Sequence, residues 1–364
     1  MISPYWAIIA LVVSLAVALI LHRPALRLAH RYQFVDRPGR HKRHGRPVPI
    51  VGGVILMISL WSGLLVTYLV FPDILLDLSG SILYIFCGAL IVFLVGLSDD
   101  LIPLSAWTKL LAQICAGLVL YIGGLRIDPV TIPLLGSIEI GGASLLITVV
   151  WVVGLTNAIN LLDGLDGLAG GVSFIGAATM VVIGYLYGAD QVIVLAYAMI
   201  GFLAVFLVYN RYPARVFLGD SGSLQIGYYF AVLSLLVPVK SYTAAALYLP
   251  LLALGVPLLE TLVSISRRLV TGKNVMKADR RHLFHYLALA GLSPRTIVII
   301  FYVLSAIFGL FALAMYYWDR ILVFSLLVLF MVVIFVLFYI FMAAANRAGM
   351  RRQVSREQKS ISDG

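Results

Sequence analysis

Apolar stretches of about 18–22 residues recur eleven times along this 364-residue chain, and they decide what it can fold into. A helix rises about 1.5 Å per residue, so each stretch is long enough to cross the roughly 30 Å hydrocarbon layer of a bilayer. They run over about 4–21, 50–71, 81–98, 105–123, 143–160, 168–187, 191–209, 222–239, 244–266, 295–317 and 321–343. With 62% hydrophobic and only 12% charged residues, the chain has too little polar surface to cover a water-soluble body of this size. The expected class is an all-α polytopic membrane protein of about eleven transmembrane helices. Residues 1–345 form one integral-membrane domain, and 346–364 a basic, disordered tail. The opening "MISPYWAIIA" has no basic residue ahead of its apolar run, so a retained first helix is expected rather than a cleaved leader. Cys87 and Cys115 both fall inside spans and read as small apolar fillers, with no disulfide or metal framework.

Eleven spans place successive loops on alternate sides. Of the 26 Lys and Arg, all but Arg126, Lys240 and Arg320 fall on one side. The positive-inside rule makes that side cytoplasmic, with the N-terminus outside and the C-terminus in the cytoplasm. The net charge of +10 is therefore a membrane-surface property, and no nucleic-acid partner is expected. "SDD" (98–100), "NAINLLDGLDGLAGG" (157–171), "FLGDSG" (217–222) and "DRRHLFHYL" (279–287) share the basic side. The other side has only scattered acids. Chemistry is expected at the cytoplasmic membrane surface, between a soluble substrate and a lipid.

Each motif has a physical reason. Asn157, Asn160, Asp163 and Asp166 recur every three residues, which on a regular helix forms a row spiralling slowly around one side. Four polar groups at this depth exceed what a helix cap requires. Asp99 and Asp100 are adjacent carboxylates that repel unless a cation compensates, either Mg²⁺ or Lys109 two to three turns on. Asp220 precedes a helix whose first turn holds Ser221, Gly222 and Ser223, a corner suited to phosphate or to the metal that bridges to it. His282 and His285 share a helix face flanked by Arg280 and Arg281. With no Cys or third His at helical spacing, they suit diphosphate oxygens better than zinc. Arg267 and Arg268 extend that positive surface, and anionic headgroups are its alternative partner. The loop "FVDRPGRHKRHGRPVPIVGG" (34–53) is read as serving both headgroups and nucleotide phosphate. Acids for a metal, basic groups for phosphates and amides for a base together suggest phosphoryl transfer.

In order along nearly the whole chain, "VDRPGRHKRHGRPVPIVGG", "GLSDD" with Lys109, "NAINLLDGLDGLAGG", "VFLGDSGS", "PLLETLVSISRR" and "DRRHLFHYL" resemble the polyprenyl-phosphate N-acetylhexosamine-1-phosphate transferases of glycosyltransferase family 4. The nearest branch is the one that acts on undecaprenyl phosphate and GlcNAc-1-phosphate. The resemblance implies transfer of a HexNAc-1-phosphate from a UDP-N-acetylhexosamine to undecaprenyl phosphate with release of UMP. It also implies Mg²⁺ as cofactor (Mn²⁺ as a substitute) and a place in the bacterial inner membrane with the site facing the cytoplasm. A homodimer is an option. By that resemblance Asp99, Asp100 and Lys109 serve catalysis near the lipid phosphate, and Asp220 holds the metal. Asn157, Asn160, Asp163, Asp166, Asn210 and Phe217 take the nucleotide-sugar, and His282, His285, Arg281 and Arg268 take phosphate. Two positions depart from the pattern. Phe284 stands where a histidine is usual, and Glu260 where Asp is commoner, which bears on the choice of sugar. The phospho-N-acetylmuramoyl-pentapeptide transferases rank second. A transporter is the rival from another class, but its coupling sites belong near the midplane.

Overall fold

The computed structural model describes residues 5–37, 46–73, 80–128, 130–132, 136–237, 255, 283–319, 321–337 and 339–340. These residues are almost all helical. Helices α1 (Tyr5–Arg31), α2 (Gly52–Val70), α3 (Ile82–Leu101), α4 (Ala106–Ile122), α5 (Ala143–Leu162), α6 (Leu168–Tyr187), α7 (Asp190–Asn210) and α8 (Gly219–Leu236) come first. Then follow α9 (Leu283–Leu289), α10 (Pro294–Tyr317) and α11 (Ile321–Leu337). Seven of them, α1, α2, α3, α5, α6, α7 and α10, are long and apolar enough to cross a membrane. Of the eleven expected spans, ten coincide with helices. The ninth, 244–266, lies outside the described residues except for Gly255. The tail 346–364 and Glu260, Arg267, Arg268, Arg280, Arg281 and His282 also lie outside them.

Two short hairpins depart from the all-α expectation. β1 (Val35–Asp36) pairs antiparallel with β2 (Val48–Pro49), and β3 (Val130–Ile132) with β4 (Gly136–Ile138). The row of polar residues at three-residue spacing is not one helix either. α5 stops at Leu162, and Asp163 caps it with φ −77° and ψ 42°. Asp166 sits in the following turn, and Gly167 starts α6 at φ +81°, a conformation open to glycine. The helix starts obey local chemistry. Ser105 and Ser293 each accept a hydrogen bond from the backbone N–H three residues on, and Pro294 opens α10 where no N–H is needed.

Helix α8 organises the part of the bundle that carries the site, packing against α2, α3 and α5. Nearly all its residues from Ser221 to Ser234 are buried, so it is walled by protein rather than lipid and can carry Ser221, Ser223 and Gln225. Its neighbours approach through small residues: Gly53 of α2 against Ser221, Gly96 of α3 against Ser221, and Gly227 of α8 itself against Thr156 of α5. Polar side chains tie the shell to it. Tyr228 donates to the Ile85 carbonyl at 3.0 Å, Trp61 Nε1 to the Tyr229 hydroxyl at 2.9 Å, and Trp151 Nε1 to Ser234 Oγ at 2.7 Å. The result is a rigid axle whose N-terminal end carries Asp220.

Candidate active site

Alternating helix directions bring the C-terminal ends of α3, α5 and α7 and the N-terminal ends of α4, α8 and α10 to one end of the bundle. At that end lies a cavity of about 390 Å³, walled by these ends other than that of α4. Asp100, Asn160, Asp163, Asp166, Asn210 and Asp220 line it, with Phe217 and His285. Asn157, Asp99 and Lys109 do not.

Asp99 and Asp100 end α3 and face different partners. Asp99 accepts the Leu104 N–H at 2.7 Å through Oδ1, and Lys109 Nζ at 3.2 Å through Oδ2. Lys109 also reaches Asp220 Oδ2 at 2.8 Å, so one ammonium bridges two carboxylates 121 residues apart in the chain. Asp100 instead turns onto the start of α8, accepting the N–H of Asp220 at 2.8 Å and of Ser221 at 3.1 Å. The α8 N-terminus was expected to face phosphate. Its leading N–H groups are taken by Asp100 because an internal carboxylate satisfies them in place. Gly219, at φ +72°, permits this approach: a Cβ there would stand 2.5 Å from Asp100 Oδ2.

On the other wall, Asn160 Nδ2 donates to Ser223 Oγ at 3.0 Å. Asn157 faces away, its amide paired with Gln113 of α4, where Nδ2 donates to Oε1 at 2.6 Å. The α5 turn separates it from the rest of the row by sending its side chain toward α4. Asn210 is buried. Its Oδ1 accepts from Gly167 N and its Nδ2 donates to the Val216 carbonyl, each at 2.8 Å, which leaves one N–H and one lone pair. Asp166 Oδ2 accepts the Ala214 N–H at 2.9 Å. Together these bonds bind the 163–167 turn to the 211–217 segment. Tyr302 of α10 adds a hydrogen bond to the Gly167 carbonyl at 2.6 Å.

Phe217 is fixed by the chain preceding α2. Its N–H donates to the Pro49 carbonyl at 2.8 Å, and its own carbonyl accepts from Gly52 N at 3.1 Å. The described part of the 34–53 loop is thus a strap under Phe217, and Asp36 of that loop lines the cavity. Phe284 is buried with its ring against Gly164, and it lies 4.3 Å centroid to centroid from His285, the residue that reaches the cavity wall.

Sequence reasoning missed Asp36, Gln113 and Tyr302. Asp36 was visible as the one acid in a basic loop. Gln113 was visible as an amide inside an apolar run, and Tyr302 carried no signal.

Burial, then the charges of Asp220, Asp100 and Asp166, pushes the Asp163 carboxyl up to about 8. Acids that repel one another around one cavity match an all-oxygen donor set for a hard cation. Among the described residues no three acidic or histidine side chains converge on one metal position. The fit is therefore to an ion such as Mg²⁺ that takes one or two carboxylates and completes its shell with water and phosphate oxygens. Asp163 also sets a pH dependence. Its folded carboxyl binds a proton up to about pH 8, whereas an unfolded one releases it near pH 4. The folded state therefore holds more protons between those values, and stability falls as pH rises through that window. Melting in EDTA should drop from pH 6 to pH 9, and Asp163→Asn should flatten the slope. A wild-type slope of the opposite sign, or one the variant leaves unchanged, would remove this account.

Residues 82–238 match the sequence model of glycosyl transferase family 4. Over 331 residues, 90% of each chain, the protein is 34% identical to the probable undecaprenyl-phosphate N-acetylglucosaminyl 1-phosphate transferase of Bacillus subtilis (strain 168). It is 28% identical to the undecaprenyl-phosphate alpha-N-acetylglucosaminyl 1-phosphate transferase of Escherichia coli (strain K12), covering 91% of this chain and 90% of that one. It is 29% identical to the phospho-N-acetylmuramoyl-pentapeptide-transferase of Halalkalibacterium halodurans, covering 85% and 98%. The matched span takes in α3 to α8, whose ends carry Asp100, Asn160, Asp163, Asp166 and Asp220 around one cavity, and by this similarity the chain belongs to glycosyl transferase family 4.

Proposed function

We propose that this protein transfers N-acetylglucosamine-1-phosphate from UDP-N-acetylglucosamine to undecaprenyl phosphate and releases UMP. The observation that carries the reading is the acidic cavity at one end of an apolar bundle, in a chain 34% identical over 90% of its length to a relative named for that transfer. Relatives named for the two donors stand at 28% and 29% identity, and what favours N-acetylglucosamine is the 34% relative named for it. The bundle would have eleven spans in a bacterial inner membrane, with the cavity in the cytoplasm, the N-terminus outside and 346–364 as a cytoplasmic tail.

In this reaction an oxygen of the lipid phosphate attacks the β-phosphorus of the donor. The bond from that phosphorus to the bridging oxygen breaks, and UMP leaves with the electron pair. Lys109 and the end of α3 hold the acceptor phosphate, Lys109 supplying the positive charge. Asn160, Asp163 and Asp166 face the donor, Phe217 stacks on uracil, and the remaining N–H and lone pair of Asn210 read its edge. His285 faces the diphosphate, and the resemblance gives Arg268, Arg281 and His282 the same role. Asp220, with Asp163 on the same wall, would hold Mg²⁺, which would neutralise diphosphate charge when bound. Purified protein with undecaprenyl phosphate, Mg²⁺ and UDP-N-acetylglucosamine should release UMP, and omission of lipid or metal should stop it. Release only with UDP-N-acetylmuramoyl-pentapeptide would move the protein to the other branch. No release from folded protein with either donor would overturn the transferase reading.

A further inference from the structure

A second cavity, of about 550 Å³, lies beside the first, between the C-terminal end of α7 and the N-terminal end of α10. Arg211, Arg215 and Arg295 stand on its wall, all three exposed. Among the described residues none of them pairs with a carboxylate. Arg295 lies 5.7 Å over the Tyr212 ring, which holds it at the rim. Asp166 is the acid on this wall, and its Oδ2 is engaged by the Ala214 N–H. Below the arginines the wall turns apolar through Val208, Val298 and Ile299. Val208 and Ile299 are 60% and 59% exposed on helices apolar enough to span a membrane, so this side of the cavity opens toward lipid.

We propose that this cavity binds an anionic phospholipid of the surrounding bilayer, its phosphate among Arg211, Arg215 and Arg295 and an acyl chain along Val208, Val298 and Ile299. A soluble anion has no use for the apolar half of the wall. The acceptor lipid of the proposed reaction belongs to a different place, since Asp99, Asp100 and Lys109 do not line this cavity. Uncompensated cations at a membrane surface attract anionic headgroups, and the guanidinium fork matches phosphate geometry. The site also touches the nucleotide side. Asp166, Tyr212 and Pro294 wall both cavities, and Arg211 and Arg215 lie on the segment that ends at Phe217. A bound headgroup would steady that segment. This consequence rests on the transferase reading; the binding does not.

The test is native mass spectrometry of the full-length, delipidated protein with phosphatidylglycerol and phosphatidylcholine of identical chains. Wild type should prefer phosphatidylglycerol. The Arg211→Gln/Arg215→Gln/Arg295→Gln variant should lose about 10- to 100-fold in its affinity, the scale of three surface arginines. Arg126→Gln, beyond the far end of α4, should change nothing. Should the triple variant fail to fold, Arg295→Gln alone should show a loss of about fivefold. A variant that keeps wild-type preference would overturn the proposal. So would displacement of the lipid by millimolar inorganic phosphate, which marks a soluble-anion site. Displacement by equimolar undecaprenyl phosphate, with the variant losing that lipid instead, would assign the cavity to the acceptor and overturn it as well. A protein inactive with every donor that still selects phosphatidylglycerol would sink the transferase reading alone.

Discussion

Asp220→Asn should reduce turnover by about a thousandfold, the scale set by removing one preorganised charge from a phosphoryl-transfer site, while leaving the protein folded. The structure separates the two effects. The Asp220 side chain makes its ion pair with Lys109 at 2.8 Å, and both groups are partly exposed, so losing the pair costs stability no more than about 1 kcal/mol. The backbone N–H of residue 220 still donates to Asp100, so the start of α8 keeps its carboxylate cap. Lys109 keeps Asp99 at 3.2 Å. Asn matches Asp in size and leaves the cavity shape alone, so what disappears is a negative charge on the cavity wall. The measurement is UMP release against Mg²⁺ concentration, beside a melting curve. Turnover above a tenth of wild type with an unchanged Mg²⁺ response would remove Asp220 from the metal role. Lys109→Met is the informative contrast. It leaves Asp99 and Asp220 without their shared cation and should lower the melting temperature as well as turnover.

The acids were legible in the sequence because a carboxylate at the end of an apolar run is costly and needs a reason to be there. That argument found Asp99, Asp100, Asp163, Asp166 and Asp220. It could not say which partner each one faces. Asp100 reads like the twin of Asp99, yet one caps α8 and the other holds Lys109, because the two side chains leave α3 about 100° apart. Asn157 carries the same spacing signal as Asn160, yet it pairs with Gln113 across 44 residues of chain. Spacing along one element does not report what a neighbouring helix offers. The same limit applies to α8. Its apolar pattern read as one more span, but its polar first turns and near-complete burial make it the element that α2, α3 and α5 pack around. Gly52 and Gly53 end a loop read for its basic residues, and their purpose appears only when Phe217 to Gly222 lies against them.

That close approach makes Gly53→Ala the substitution with the largest expected effect on the fold. A Cβ at position 53 would stand 2.5 Å from the Gly222 nitrogen and 2.6 Å from the Ser221 carbonyl carbon, and it would also meet Ser221 Oγ. The first two are backbone atoms of α8, which cannot rotate aside as a flexible side chain can. Relief requires α2 to move off α8. That movement would stretch Gly53 N to Leu218 O, now 3.1 Å, and Gln225 Nε2 to Gly53 O, now 3.0 Å. Overpacking of a tight core typically costs about 1–3 kcal/mol, and backbone clashes lie at the upper end of that range. Because Asp220 and Ser221 ride on the same turn of α8, turnover per folded molecule should fall too. Gly154→Ala supplies the control. It lies in α5 with no heavy atom within 4 Å of the added methyl, and Ala gains about 0.5–1 kcal/mol over Gly inside a helix. Melting temperatures in one detergent should therefore move in opposite directions, down for position 53 and level or up for position 154. Equal melting of wild type and Gly53→Ala, with activity intact, would mean that α2 and α8 are not in contact, and the strap that fixes Phe217 would lose its anchor with them.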